Sequence, residues 1–253
     1  LQMKSRILDL MNTEIAAARN GSPARIVAKI NGLSDKDVID KLVEASQAGV
    51  KITLYIRGIC CLRAGVEGYT DNITIKSMVG RYLEHPRIFL FGYGEREHMY
   101  IGSADWMTRN LNYRVEVAVE ILDKEAKATL FEVLDILEHD NMLARVQQPD
   151  GTYKRLYPAE GEKKVDSQVE QYELFKTLRE ETSCFEDVPA ASHARGAAGD
   201  NGAAGLNKTK DGMQKIHPVP QAVEAPSESE QKAPDKEPKT FVERLKYVLF
   251  GKF

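Results

Sequence analysis

The segment from residue 24 to 56, ARIVAKINGLSDKDVIDKLVEASQAGVKITLYI, decides the fold. Its two ends, 24–30 and 50–56, are short runs rich in β-branched residues and are typical of strands. The apolar residues between them recur at helical spacing and predict a helix over 35–48, with Ser34 as its N-cap. A strand, a helix and a second strand in this order indicate an α/β layer with a largely parallel sheet.

Further helices and strands are predicted on both sides of this unit by the same periodicities. Helices are expected at 1–20, 123–141 and 166–182. Strands are expected at 73–76, 88–91, 99–101, 115–121, 143–146 and 153–156. The last two strands flank Pro149-Asp150-Gly151, a typical hairpin turn.

The composition excludes several classes of protein. The chain has 253 residues, 42% of them hydrophobic, and a formal net charge of −3, which does not suit a protein that coats nucleic acid by bulk charge. No apolar run approaches the ~20 residues needed to span a bilayer. Two of the three cysteines, Cys60 and Cys61, are adjacent, and neighbours rarely bridge each other. We therefore expect reduced cysteines and a cytoplasmic location.

The chain divides by composition into three parts. Residues 1–182 are predicted to form one domain, and residues 183–238 a disordered linker, because the stretch 186–238 is rich in proline and contains no Phe, Trp or Tyr. The chain begins at Leu1 within a predicted helix and shows no signal-peptide pattern. We therefore expect it to be a piece of a longer polypeptide.

Residues 239–253 form the third part and predict a basic amphipathic helix. The charge is +4 − 1 = +3, from Lys239, Arg244, Lys246 and Lys252 against Glu243. Such a helix can bind a partner or lie on an anionic membrane surface. The alternative is that it docks back on its own domain.

Residues 57–114 carry the polar groups best suited to chemistry. Arg57 and Arg63 follow the strand at 50–56 directly, where α/β sheets usually place ligands. The guanidinium group is well shaped for forked contacts to phosphate oxygens. The alternative is that both are ordinary solvated arginines.

A second motif combines His85-Pro86-Arg87 before a strand with Gly102-Ser103-Ala104-Asp105 after the next. This pattern resembles the His-x-Lys and Gly-Ser-x-Asn motifs of the phospholipase D superfamily, with Arg87 in place of Lys and Asp105 in place of Asn. Imidazole titrates near neutrality and can act as nucleophile, acid or base. Fixed cations stabilise a phosphoryl group in transfer.

Several motifs, in order and at their spacings, closely resemble the C-terminal domain of bacterial polyphosphate kinase over roughly residues 7 to 156. They are IVAKINGLSD at 26–35, ASQAGVKI at 45–52, RGICCLR at 57–63, VGRYLEH at 79–85, IGSADWMTRNL at 101–111 and RVEV at 114–117. The resemblance implies an α/β fold of the phospholipase D-like type, a mixed sheet flanked by helices. It also implies reversible transfer of the terminal phosphate of ATP to polyphosphate through a phosphohistidine, with Mg²⁺ required.

The same resemblance implies roles for particular residues. His85 matches a second histidine that contacts nucleotide and phosphates and is a candidate acid or base, and Arg57 matches an ATP-phosphate contact. The phosphohistidine and the magnesium-linked residues would lie in upstream domains of the same polypeptide. Further candidates for ATP and phosphate binding, from side-chain chemistry, are Arg63, Arg81, Ser103, Asp105 and Lys29. The implied partners are ATP or ADP and inorganic polyphosphate, with a homo-oligomer possible.

Two departures from the family pattern concern Ala64, where Pro is usual, and Pro86, where Ser is usual. Pro restrains the preceding residue and could redirect the His85 side chain. Two alternative functions remain open at this point. One is a phospholipase D-like phosphodiesterase that acts as a homodimer, and the other is a non-catalytic module that binds polyphosphate or nucleotide.

Other chemistry-bearing residues are expected to be structural. We expect His98 to be an exposed loop residue and His139 to interact with the C-terminal dipole of its helix. Trp106 is expected to pack in the core rather than to stack on a base. No pair of histidines shares metal-ligand spacing with a cysteine pair, so no zinc site is expected.

Overall fold

A computed structural model describes residues 2–183, and the predictions for residues 184–253, including the linker and the basic helix, lie outside the described residues. The helices are α1 (Gln2–Arg19), α2 (Lys36–Gln47), α3 (Thr108–Tyr113), α4 (Lys124–His139) and α5 (Ser167–Ser183). The strands are β1 (Arg25–Ile30), β2 (Lys51–Ile56), β3 (Ile73–Ser77), β4 (Ile88–Phe91), β5 (His98–Gly102), β6 (Ala118–Glu120), β7 (Arg145–Gln147) and β8 (Tyr153–Arg155). A 3₁₀ turn covers Gly94–Arg96.

In the described part of the chain the strands form one eight-stranded sheet in the order β6-β5-β4-β1-β2-β3-β7-β8. The pairs β1–β2 and β2–β3 are parallel, and the other five pairs are antiparallel. The prediction of a mixed sheet flanked by helices is confirmed. The prediction of a largely parallel sheet holds only for the first three strands. The connections that follow β4 and β7 are too short for the crossover that a parallel pair requires. The strands β5 and β8 therefore pair antiparallel to β4 and β7, respectively.

The sheet has helices on both faces. Successive side chains of a strand point to opposite faces, so a strand with apolar residues throughout packs against helices on both sides. On one face, Phe89 and Phe91 of β4 pack in a core with α1 and α2. On the other face, Ile88 and Leu90 of the same strand pack in a second core with α4 and Phe175 of α5. All four residues of β4 are buried, which accounts for its continuous apolar sequence.

The cap of α2 differs from the prediction. The N-cap is Asp35, whose carboxylate accepts from the backbone N–H of Val38 at 3.3 Å, and not Ser34. The backbone N–H groups of Ser34 and Asp35 both donate to the backbone oxygen of Trp106, at 3.0 and 3.1 Å. The buried Asp35 carboxylate is also paired with Lys4 of α1 at 2.9 Å, so α1 and α2 are joined at this end.

Two other predictions need correction, and one helix was missed. The strand expected at 115–121 is limited to Ala118–Glu120, and the short helix α3 was not predicted. His98 is the first residue of β5 rather than a loop residue, and its Nδ1 lies 2.5 Å from Glu120 on the neighbouring strand β6. His139 ends α4 as expected, with its Nδ1 2.9 Å from the backbone oxygen of Asp135.

Candidate functional site

One edge of the sheet gathers the polar residues that the sequence places far apart. Asn31 and Arg57 follow the ends of the parallel strands β1 and β2. Because β4 runs antiparallel to β1, with Ile88 opposite Lys29, the residues that precede β4 reach the same edge. Because β5 runs antiparallel to β4, the residues after β5 return there too. His85, Arg87 and Asp105 are therefore close neighbours of Arg57.

A continuous hydrogen-bond network connects these residues. Asn31 accepts from Nε of Arg57 at 2.8 Å through Oδ1, and its backbone N–H donates to Oδ1 of Asp105 at 2.6 Å. Asp105 in turn accepts from Nε and Nη2 of Arg87 at 3.3 and 3.2 Å. Nη1 of Arg87 donates to the backbone oxygen of His85 at 2.7 Å. The network thus holds the backbone at His85 in a fixed relation to Arg57.

The two arginines differ in what they can offer a ligand. Both hydrogen bonds of Arg57, to Asn31 and to the backbone oxygen of Glu84 at 2.5 Å, use Nε. Its two terminal nitrogens, which make forked contacts to phosphate, are not used by these bonds. All three nitrogens of Arg87 are engaged by Asp105 and His85. Arg57 is therefore suited to bind an anion, and Arg87 is suited to orient the loop.

His85 is exposed to solvent, so its ring is available to a ligand. Partial burial lowers the pKa of His85, and the charges of Arg57, Arg87 and Lys29 lower it further, while Asp105 acts in the opposite direction. Neighbouring cations disfavour the protonated imidazole. The imidazole is therefore mainly neutral at pH 7 and can accept a proton.

Lys29 lies beneath the site rather than on its surface. It is 3% exposed, and its Nζ is 3.3 Å from Glu84, which is 6% exposed. The alternation along β1 directs Ile26, Ala28 and Ile30 into the core with α1 and α2, so Lys29 faces the opposite side. Burial lowers the pKa of Lys29. The ion pair of Lys29 is with Glu84, and a role of Lys29 toward a ligand stays a prediction.

Three other candidates lie at different places. Oγ of Ser103 donates to Glu116 and accepts from the backbone N–H of Val117 at 3.0 Å. Arg63 lies against the turn at Gly151, and Arg81 lies over Tyr82, 5.6 Å from the ring centroid. These contacts do not link Arg63 or Arg81 to the network around Arg57. The binding roles of all three remain predictions.

The two departures from the family pattern have structural counterparts. The backbone N–H of Ala64 donates to Oε1 of Gln147 at 2.8 Å, a bond that proline could not make. Pro86 is buried, and the carbonyl group of His85 before it is held by Arg87.

Trp106 is fully buried against Phe89, with ring centroids 5.4 Å apart, so the prediction of core packing is confirmed.

Three residues joined to this site were not predicted from the sequence: Asn31, Glu84 and Gln168, whose Nε2 donates to Oε1 of Glu84 at 2.9 Å. Asn31 directly follows β1, just as Arg57 follows β2, so its position was a usable signal. Glu84 and Gln168 carried no such signal, since their contacts join residues 84 positions apart.

The fold and this edge define an α/β protein with a cationic site around an exposed histidine. A family model, described as polyphosphate kinase C-terminal domain 2, matches residues 1–168. The chain therefore belongs to the polyphosphate kinase family.

Individual relatives agree with this assignment. The polyphosphate kinase of Thermosynechococcus vestitus is 53% identical over 160 residues, 63% of this chain and 22% of that protein. The polyphosphate kinase of Bacillus anthracis is 44% identical over 172 residues, 68% of this chain and 24% of that protein. The crystal structure of polyphosphate kinase from Porphyromonas gingivalis matches with a TM-score of 0.68 and 36% identity, over 72% of this chain and 28% of that one. This chain thus spans between 22% and 28% of the length of each of these relatives.

Proposed function

We propose that this chain is the C-terminal part of a polyphosphate kinase that transfers the terminal phosphate of ATP reversibly to polyphosphate. In this proposal a phosphohistidine in an upstream domain carries the phosphoryl group, and the present domain supplies phosphate-binding groups and a second histidine. The observation that carries the proposal is the exposed His85 beside Arg57, whose terminal nitrogens are not used by its two hydrogen bonds. Family membership supports the choice of ATP and polyphosphate as substrates.

Each residue has a definite task in this proposal. Arg57 binds non-bridging oxygens of ATP or polyphosphate through its terminal nitrogens, where charge is spread during phosphoryl transfer. Neutral His85 accepts a proton from, or donates a hydrogen bond to, the phosphate that enters or leaves. Arg87 and Asp105 hold the backbone at His85 and do not themselves contact substrate.

The proposal assigns no step to Mg²⁺ within this domain. Among residues 2–183, no group of three or more His, Cys, Asp or Glu side chains is placed to hold a metal ion. Mg²⁺ usually retains water and binds through one or two carboxylates together with substrate phosphates. As the family resemblance implies, we propose that the ligands of the required magnesium ion lie in the upstream part of the enzyme.

The location of the protein stays a proposal as well. No helix within the described range 2–183 is long and apolar enough to cross a membrane. We propose a cytoplasmic enzyme, as the reduced state of Cys60 and Cys61 favours; both are free thiols in the structure.

A transfer assay tests the proposal. The chain is incubated with γ-labelled ATP and polyphosphate, first alone and then joined to the upstream domains of a polyphosphate kinase. We expect the isolated chain to bind both substrates without transfer, and the joined protein to lengthen polyphosphate. The change His85→Gln is expected to reduce that turnover. Undiminished turnover with His85→Gln would instead favour a non-catalytic binding module. Hydrolysis of bis(p-nitrophenyl) phosphate by a dimer of the isolated chain would favour the phosphodiesterase.

The pH dependence of polyphosphate binding is a second expectation. A bound polyanion offsets the cations around His85 and raises its pKa from the lowered value of the free protein. Binding therefore takes up protons, and affinity rises as the pH falls through the range around the ordinary histidine value of 6.5. The stability of the fold changes with pH in the opposite direction to the binding affinity. Because His85 has a higher pKa in the unfolded chain, the unfolded chain binds the proton more strongly, and the free energy of unfolding falls as the pH drops below 6.5.

Calorimetry in two buffers of different ionisation enthalpy measures the proton uptake. The apparent binding enthalpy is expected to differ between the buffers for the parent chain, and to differ less for His85→Gln. Equal enthalpies for the parent chain in both buffers would show that His85 does not change protonation on binding.

A further inference from the structure

The loop between β3 and β4, residues 78–87, carries His85 but has no regular secondary structure. Several of its side chains point to solvent; Tyr82 is 55% and Leu83 68% exposed. A loop with so few buried side chains is expected to be mobile unless other elements hold its backbone. On the side that faces the sheet, Arg57 and Arg87 hold the loop by donating hydrogen bonds to the backbone oxygens of Glu84 and His85.

Gln168, near the start of α5, holds the same loop from the opposite side. Its Oε1 accepts from the backbone N–H of Tyr82 at 2.9 Å, and its Nε2 donates to the backbone oxygen of Tyr82 at 2.8 Å. The same Nε2 donates to Oε1 of Glu84 at 2.9 Å. The buried side-chain amide thus uses its oxygen and both of its hydrogens on this one loop, which is the full capacity of the donor group.

Glu84 connects Gln168 to the cations of the site. Its side chain joins Gln168 to the buried Lys29, while its backbone oxygen accepts from Arg57. The next residue is His85. A displacement of Glu84 therefore changes the distance of the imidazole from both cations.

The loop and helix also fit each other closely. A Cβ atom added to Gly80 would lie 2.6 Å from Oε1 of Gln168 and 2.8 Å from Cδ1 of Leu143, so a side chain at this position would displace the ends of both side chains. The start of α5 is itself anchored, because the N–H of Ser167 donates to the buried Asp140 at 2.8 Å and Phe175 packs in the core. Gln168 therefore sits on a fixed support.

We infer that Gln168 is a positioning residue that sets where the imidazole of His85 lies relative to Arg57. The inference rests on the proposed function only for the use of His85 in phosphoryl transfer. Gln168 acts through Tyr82 and Glu84 and does not contact substrate.

The experiment is an NMR titration of the histidine rings in the complete 253-residue chain without ligand. The test variant is Gln168→Met, which keeps the side chain's length but makes none of the three bonds. The matched control is Gln171→Met, one turn further along α5. Gln171 is also buried, and its Nε2 donates to the backbone oxygen of Ser167 in its own helix. His85→Gln identifies the His85 signal.

In Gln168→Met, the pKa of His85 is expected to rise toward its ordinary value, since the ring becomes less buried and is no longer held beside Arg57, Arg87 and Lys29. The amide of Tyr82 is expected to exchange with solvent about tenfold faster, as for the loss of one to two hydrogen bonds. Gln171→Met is expected to leave both values at those of the parent chain. The shorter amide of Gln168→Asn, which cannot reach all of the partners, is expected to shift His85 in the same direction.

An unchanged His85 titration in Gln168→Met and Gln168→Asn would overturn the inference, and so would an equal shift in Gln171→Met. Because no substrate is present, the result is read separately from the proposed function. A chain that binds no polyphosphate but shows the selective shift would refute the function and keep Gln168 as a positioning residue.

Discussion

Arg57→Ala is expected to weaken binding of polyphosphate and ATP to this chain about 10- to 100-fold. Loss of hydrogen bonds to a charged partner costs about 1.5–3 kcal/mol, and each 1.4 kcal/mol corresponds to a factor of ten in affinity. In the structure, the hydrogen bonds of Arg57 use Nε and leave the terminal nitrogens for a ligand. Calorimetric titration with polyphosphate of defined length, at fixed ionic strength, measures the change.

Two further variants separate the contribution of the planar guanidinium group of Arg57 from that of its positive charge. Arg57→Lys keeps the positive charge without the planar fork and is expected to fall between the parent chain and Arg57→Ala. Lys51→Ala removes one exposed cation from the opposite end of the same strand, β2, and is expected to bind within twofold of the parent. Equal affinities for Arg57→Ala and Lys51→Ala would place the binding site elsewhere on the chain.

Trp106→Ala is expected to lower the free energy of unfolding by about 3–5 kcal/mol, the range for removal of a large buried aromatic side chain. The indole is fully buried, between Phe89 at 5.4 Å and Phe91 at 6.4 Å between ring centroids. Its backbone oxygen also accepts from Ser34 and Asp35 at the start of α2. A cavity here therefore loosens both the core and the segment that carries Asp105.

Urea unfolding followed by circular dichroism measures this loss, since Trp106 is the chain's one tryptophan and its removal abolishes the usual fluorescence signal. Trp106→Phe keeps an aromatic ring and is expected to cost less. Tyr113→Ala, at a side chain that is 82% exposed, is expected to stay within about 0.5 kcal/mol of the parent. A loss for Trp106→Ala as small as that for Tyr113→Ala would contradict the packing described.

Local patterns in the sequence were enough to predict most of the elements. The β-branched runs at 24–30 and 50–56 are strands, and the helical spacing between them is α2. These predictions succeeded because alternation and helical periodicity record which face of an element is buried. The error at 115–121 arose because pairing with the distant strand β5 sets the extent of β6. The error at Ser34 was a shift of one residue, since the side chain of Asp35 caps α2.

The sequence by itself determined the family, since the ordered motifs around Arg57 and His85 are local and specific. It also determined the mixed α/β class, which follows from the order and spacing of the elements. Only the tertiary structure showed how each cation is engaged. The hydrogen bonds of Arg57 leave its terminal nitrogens unused, all three nitrogens of Arg87 are bonded to Asp105 and His85, and Lys29 is buried against Glu84. The physical reason is that burial and hydrogen-bond partners come from strand pairing and from α5. Those contacts join residues up to 86 positions apart and leave no local trace in the chain.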